Sequence, residues 1–315
     1  MDVITIGETM VLFTPNTQGH MRYASNFSRR FGGAESNVAI GLSKLGHKAG
    51  WISRVGNDEF GKAILSFLRG EGVDVSQVQY DDAAPTGLYF KEKRTVSEFR
   101  IQYYRKGSAA SKMCAGDINE EYLKRAKYLH VTGITPALSE SCYEAIVYAI
   151  KLAKKNGVTV VFDPNLRRNL WPEERAREVL LELISYADIT LPGVDEGEFL
   201  YGTKDPIEIG KGILYSGASL AVIKTGSKGA YYVTEEKSEH VPVVAVSEVR
   251  DPVGAGDGFC TGFLSGLLNG LSIKESVARG NLVGSVVVKV DGDVEGLPER
   301  SELTKYQSHI EDVAR

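Results

Sequence analysis

The segment Asp251-Pro-Val-Gly-Ala-Gly-Asp-Gly-Phe combines residue types that suit phosphate chemistry. Gly254, Ala255 and Gly256 are small enough for backbone N–H groups to come close to an anion. A helix with apolar residues at Phe259, Phe263, Leu267 and Leu271 follows directly. A helix start beside a bare turn offers unpaired N–H groups and the positive end of a dipole. Asp257 stands at that point and could take a proton from an attacking hydroxyl. Taken alone, the segment reads more readily as an N-cap behind a glycine turn. The same helix carries Gly258, Gly262, Gly266 and Gly270 at a spacing of four. Each costs about 0.5–1 kcal/mol against Ala inside a helix, so the stripe predicts close packing on a neighbour.

Two further glycine clusters frame this one. In Phe31-Gly-Gly-Ala-Glu-Ser-Asn, Gly32, Gly33 and Ala34 open a helix whose first turn carries Glu35 and Asn37, an arrangement suited to hydrogen-bonding a polyol. Lys224-Thr-Gly-Ser-Lys-Gly-Ala-Tyr follows the strand candidate Leu220–Lys224; it could border a nucleotide or form a plain strand–turn–strand. There is no GxxxxGK[ST], no HRD…DFG set and no HExxH.

The elements that must position these residues alternate regularly. Strands are expected at Val3–Ile6, Gly50–Ser53, Tyr128–Thr132, Val158–Phe162, Ile189–Leu191 and Leu220–Lys224. Helices are expected at Glu35–Leu45, Glu59–Gly70, Ser139–Asn156, Glu173–Ala187, Pro206–Ser216 and Asp257–Leu271, with another over Ile273–Val290. Near-continuous apolar strands separated by helices predict an α/β fold: a doubly wound, mostly parallel sheet covered on both faces. Residues 11–31 and 86–105 break the rhythm and read as a small, largely antiparallel sheet inserted as a flap.

Across 315 residues, 43% are hydrophobic and 25% charged, and the formal net charge is −4, which argues against a nucleic-acid or membrane-surface binder. Three scattered cysteines fit a reducing compartment rather than a disulfide framework or zinc cage. No run approaches the length of a membrane helix, and a cytoplasmic location is expected.

Gly32-Gly-Ala-Glu-Ser-Asn-Val-Ala and Asp251-Pro-Val-Gly-Ala-Gly-Asp, in this order and with Thr225-Gly…Gly229 between them, resemble the two signatures of the PfkB/ribokinase family of carbohydrate kinases. The resemblance covers essentially the whole chain. It implies a ribokinase-like core from 1–10, 32–85 and 106–315, and a β-sheet lid from 11–31 and 86–105. It further implies Asp257 as catalytic base, Gly254, Ala255 and Gly256 as anion hole, and Gly33, Ala34 and Asn37 as sugar contacts. Thr225, Gly226, Ser227, Gly229 and Asn281 would border ATP, with Mg2+ on its phosphates. The family often has Asn-x-x-Glu near the end of a core strand to organise the metal; here Gly193 replaces Asn and only Glu196 matches, so organisation of the metal is expected to fall to Glu196, indirectly, to Asp195 or to water.

Charge then selects among sugars. Lys91–Lys106 holds six basic and two acidic residues, part of which a solvated lid edge would explain. Arg105 at the lid's return and Arg167 after the strand Val158–Phe162, with the hydroxyls of Tyr89 and Tyr103, would suit a carboxylate. Tyr103-Tyr-Arg-Lys-Gly-Ser-Ala-Ala and Phe162-Asp-Pro-Asn-Leu-Arg…Leu-Trp171 are similar to 2-keto-3-deoxygluconate kinases, and fructokinases share the second segment. The resemblance therefore implies ATP-dependent formation of 2-keto-3-deoxy-6-phosphogluconate. Fructokinase or another sugar or nucleoside kinase is the alternative, and a non-catalytic sugar sensor on this scaffold the remote one. Pairing of lid edges into a homo-oligomer is also expected.

Overall fold

The structure, a computed structural model, describes residues 1–94, 99–243 and 249–313. The chain opens with β1 (Val3–Ile6), β2 (Met10–Pro15), β3 (Phe27–Gly32), α1 (Ala34–Lys44), β4 (Ala49–Gly56), α2 (Glu59–Gly70) and β5 (Val78–Asp81). It continues through β6 (Leu88–Lys93), β7 (Phe99–Tyr104), α3 (Glu120–Leu123), β8 (Tyr128–Thr132), α4 (Glu140–Lys155), β9 (Thr159–Asp163), α5 (Glu173–Tyr186) and β10 (Ile189–Thr190). The last elements are α6 (Val194–Tyr201), α7 (Pro206–Tyr215), β11 (Leu220–Lys224), β12 (Ala230–Val233), β13 (Ser238–Val241), α8 (Ala255–Leu268), α9 (Ile273–Val287) and α10 (Arg300–Val313).

Nine strands form the main sheet in the order β13-β12-β11-β10-β9-β8-β1-β4-β5. All neighbours pair in parallel except β11–β12 and β12–β13. Successive side chains of a strand point to opposite faces. Hence Val161 packs into one core with Val38, Phe259 and Phe263, whereas Val160 and Phe162 pack into the other with Ile146 and Leu180. The all-apolar strands read from the sequence are the consequence of this double coverage. Strands are added outward in one direction from β1 through β4 and β5 and in the other from β8 through β13, and this switch point between the parallel strands β1 and β8 opens a crevice beyond their carboxyl ends.

The expected insertions form a separate four-stranded sheet, β3-β2-β6-β7, in which β2 and β6 run parallel and the other pairs antiparallel. Met10 and Gly32, assigned to the core from sequence, belong to strands of this sheet. Lys224-Thr-Gly…Gly229 is a strand–turn–strand, with β11 and β12 pairing antiparallel across it.

The glycine stripe also has its neighbour. A Cβ on Gly262 would lie 2.5 Å from the Arg279 carbonyl oxygen, and one on Gly266 would lie 2.7 Å from the Ser276 Cα, so α8 and α9 meet backbone to backbone. Gly270 is not part of that contact: it lies beyond the end of α8 with φ +73° and terminates the helix.

Candidate active site

The Asp251–Asp257 segment is a turn that feeds the head of α8. Gly254, at φ +83°, is the N-cap, and its carbonyl accepts the first intrahelical bond from the Gly258 N–H at 2.8 Å. A helix leaves its earliest N–H groups without carbonyl partners, so those of Gly256 and Asp257 are available to an anion. Asp257 is therefore the third residue of the helix rather than its cap. Its Oδ2 accepts a 2.8 Å hydrogen bond from Asn37 Nδ2, which α1 delivers from 220 positions away. Burial pushes the Asp257 pKa up to about 7; the Asn37 bond opposes this, Asp163 and Asp293 add to it, and Arg167 reduces it.

A cavity of about 450 Å³ opens at this point, lined by Gly33, Ala34, Asn37, Tyr89, Tyr103, Arg105, Arg167, Gly254, Gly256 and Asp257. All the expected sugar-side residues thus meet in one space, drawn from both sheets and from strand ends. Gly33 has to be bare, since a Cβ there would lie 2.3 Å from the Glu8 carbonyl oxygen. Tyr89 and Tyr103 face each other across β6 and β7 with ring centroids 5.6 Å apart.

The two arginines differ in a way the sequence did not reveal. Arg105 is buried and ion-paired: its Nε donates to Glu8 Oε2 at 2.7 Å, while Ser108 holds the other oxygen at 2.5 Å. Arg167 is exposed at the cavity rim and, among the described residues, its guanidinium has no hydrogen-bonded or ion-paired partner. The uncompensated charge that faces the cavity is therefore that of Arg167. The expected solvated character of the lid lysines fails at Lys91, which is only 8% exposed and pairs with buried Asp251.

A second cavity, of about 420 Å³, lies behind the turn and is lined by Gly226, Ser227, Gly229, Ala255, Gly256, Phe259 and Asn281, with apolar Val243, Val249 and Val288. Asn281 takes part in its wall while its amide donates to the Val241 carbonyl at 2.8 Å. Thr225 does not line it: its N–H and hydroxyl both close the turn onto the Gly229 carbonyl, at 2.9 and 2.8 Å.

Gly256 and Lys224 border both cavities, and a Cβ on Gly256 would sit 3.9 Å from the Lys224 ammonium. Burial works against that charge, but Asp163, Cys260 and Glu196 outweigh it and raise the Lys224 pKa. Its hydrogen bond to Asp163 Oδ2 is 2.7 Å long. Lys224, Glu8, Asp163 and Asp293 are cavity residues outside the sequence-derived set. Lys224 and Asp163 end parallel strands and Glu8 follows one closely, a position that could have marked them. Asp293 follows α9 in an irregular stretch and carries no such signal.

Among the described residues no three His, Cys, Asp or Glu side chains group as a metal cage. Glu196 has both oxygens engaged by backbone N–H groups, Leu166 at 2.8 Å and Gly193 at 2.7 Å. Burial and the nearby Asp163 raise its pKa. This donor set fits a hydrated Mg2+ carried by phosphates and touched through water by Glu196 or Asp163, since Mg2+ keeps several waters and needs few protein ligands.

The profile of the pfkB family of carbohydrate kinases matches residues 1–300. The 2-dehydro-3-deoxygluconokinase of Bacillus subtilis (strain 168) is 43% identical over 310 residues, covering 98% of this chain and 96% of its own. The enzyme of the same name from Thermoproteus tenax is 35% identical, with 97% and 94% covered. Fructokinase-1 of Zea mays is 33% identical, with 96% of each chain covered. In structure, a PfkB protein from Polaromonas sp. JS666 superposes with a TM-score of 0.88 at 42% identity, covering 96% of this chain and 99% of its own. An Escherichia coli chain solved in complex with ATP and Mg2+ superposes with a TM-score of 0.89 at 26% identity, covering 98% and 99%.

Proposed function

The chain belongs to the pfkB family of carbohydrate kinases and is a sugar kinase, and from that premise we propose that it phosphorylates 2-keto-3-deoxygluconate with ATP. In the names of the two relatives the same compound is 2-dehydro-3-deoxygluconate. The observation that carries the reading is the Asp257 carboxyl, with a pKa near neutrality, seated at the mouth of the unpaired N–H groups where the two cavities meet.

In this mechanism the sugar acid occupies the cavity under Tyr89 and Tyr103. Arg167 supplies the unpaired charge for its carboxylate, and Arg105, held by Glu8, offers its remaining N–H donors. Gly33, Ala34 and Asn37 bind hydroxyls. This orientation brings the terminal hydroxyl to Asp257, which accepts its proton as the oxygen attacks the γ-phosphorus and ADP departs. The adenine end of ATP lies in the second cavity, along Gly226, Ser227, Gly229 and Asn281, with its γ-phosphate at the Gly254, Ala255 and Gly256 turn. Mg2+ on the phosphates would spread their charge, with Glu196 reached through water. Lys224 adds a fixed positive charge at the junction of the cavities. Such transfer depends on positioning and charge stabilisation more than on covalent help. The four-stranded sheet acts as the lid that excludes water, and its exposed Ile101 and Tyr104 offer an edge for a second copy.

A neutral ketose is the second reading, favoured by one observation: Glu8 already neutralises Arg105. Coupled ADP release over a panel of sugar acids and neutral sugars separates the two. Preference for the sugar acid upholds the first reading; preference for fructose overturns it in favour of the second.

A further inference from the structure

We propose that Lys91 is a positioning residue for phosphoryl transfer: from the inserted sheet it holds Asp251, and through Asp251 it sets the 252–256 turn. This rests on the functional reading above, in which the turn receives the phosphoryl group and the inserted sheet covers the sugar.

Lys91 lies on β6 of the inserted sheet and Asp251 in the irregular stretch before α8, 160 residues away. Their side chains are 10% and 3% exposed. The Phe99 ring, 5.0 Å from the ammonium, covers the pair further. The other oxygen of Asp251 accepts the Val253 N–H at 3.1 Å. Val253 precedes Gly254, whose φ of +83° and carbonyl start α8. The connection therefore runs without a gap from a strand of the inserted sheet to the head of the helix that carries Asp257.

The same strand also reaches the sugar cavity. Residues two apart on a strand share a face, so Tyr89 and Lys91 project from β6 together. Both line the cavity, and Tyr89 stacks on Tyr103 and donates to Asp293 Oδ2 at 3.2 Å. The backbone of Asp293 in turn abuts Gly254, where a Cβ would come within 2.9 Å of its carbonyl oxygen. A substrate seated beneath Tyr89 therefore fixes the strand that seats Lys91 on Asp251.

Stability alone does not account for the pair, because a buried ion pair usually does no better than apolar residues of the same size. A solvated edge lysine would not be buried either. What the pair adds is directional: it ties the shape of the anion turn to the presence of the sheet above it. Phosphoryl transfer assembled in this way discriminates against water as acceptor when no sugar is bound.

The test uses the full chain and its best sugar substrate, with Lys91→Met, Asp251→Asn and the double variant, which leaves no lone buried charge. In the double variant kcat is expected to fall about 100-fold, the scale of a small misplacement of reacting groups. The sugar dissociation constant, measured by calorimetry without ATP, is expected to stay within about threefold. Each single variant should lose about as much kcat as the double, because the two residues act as one unit. Lys91→Arg, which keeps the charge, should retain at least about ten times the kcat of Lys91→Met.

A double variant within threefold of wild-type kcat overturns the proposal. So does a parallel loss of kcat and sugar affinity, multiplicative single losses, or equal kcat in Lys91→Arg and Lys91→Met. Should wild-type protein release no ADP with any sugar, the functional reading itself fails and takes this proposal with it; an active wild type isolates the role of Lys91.

Discussion

Replacing Asn37 by Ala removes the 2.8 Å side-chain hydrogen bond to Asp257, the one such bond it has among the described residues. That bond favours the ionised carboxylate and offsets part of the burial that lifts the Asp257 pKa to about 7. A hydrogen bond to a charged group is worth about 1.5–3 kcal/mol, and one pKa unit is about 1.4 kcal/mol, so the loss corresponds to about 1–2 units. Water entering the open cavity replaces part of the bond, which leaves a shift of about one unit. In the proposed mechanism Asp257 acts as a base only when ionised, so activity is expected to fall as pH drops through its pKa. The acid limb of kcat/KM, which reports the free enzyme, is therefore expected near pH 7 in wild type and about one unit higher in Asn37→Ala. Coupled ADP release from roughly pH 5 to roughly pH 9.5 measures it. The plateau will also fall if Asn37 binds the sugar, but the position of the limb is independent of the plateau. An unmoved or lowered limb in the variant would refute the assignment of Asp257 and its partner.

Asp257→Asn is expected to lower kcat by about 10²–10⁴-fold while sugar binding persists, as calorimetry can show. The same variant should be more stable at alkaline pH. A carboxyl whose pKa rises from 3.8 in the unfolded chain to about 7 on folding gives full stability below pH 3.8 and loses it as pH rises through 7. The variant should therefore melt higher than wild type at pH 8, by about 1–3 kcal/mol equivalent, and gain nothing at pH 4. Arg167→Ala should raise KM for a sugar acid by about 10–100-fold and leave KM for a neutral sugar near wild type. Equal effects on both substrates would detach Arg167 from carboxylate recognition. Gly262→Ala sets a Cβ 2.5 Å from the Arg279 carbonyl oxygen, so about 1–3 kcal/mol of overpacking outweighs the gain in helix propensity and Tm falls.

Most of the scaffold was legible because it obeys local rules. Tyr128–Thr132 and Leu220–Lys224 are strands with the expected limits, and Glu59–Gly70 is a helix with the expected limits, since each is bounded by clear turn chemistry. Val286-Val-Val is β-branched, yet α9 runs through Val287, three residues short of the expected limit, where the packing of α9 on the glycines of α8 overrides β propensity. The short helix α6 was missed because eight residues give too little period to detect. In the site, the glycine turns and Asp257 could be read because their spacing along the chain is itself the geometry. Pairings across the fold could not be. Glu8 with Arg105, Lys91 with Asp251 and Lys224 with Asp163 join residues 61 to 160 positions apart, and nothing local predicts which partners meet.

The backbone contact between α8 and α9 has a consequence for how such a protein diversifies. Helices that touch through glycines have no side chains to slide over or repack, so the head of α8 is a fixed reference within the core. On the proposed reading, remodelling for a different acceptor falls on β6, on β7 and the residue after it, and on the loop after β9, which carry Tyr89, Tyr103, Arg105 and Arg167. Acceptor choice can then drift by substitution in those peripheral strands and loops while the donor half stays constant.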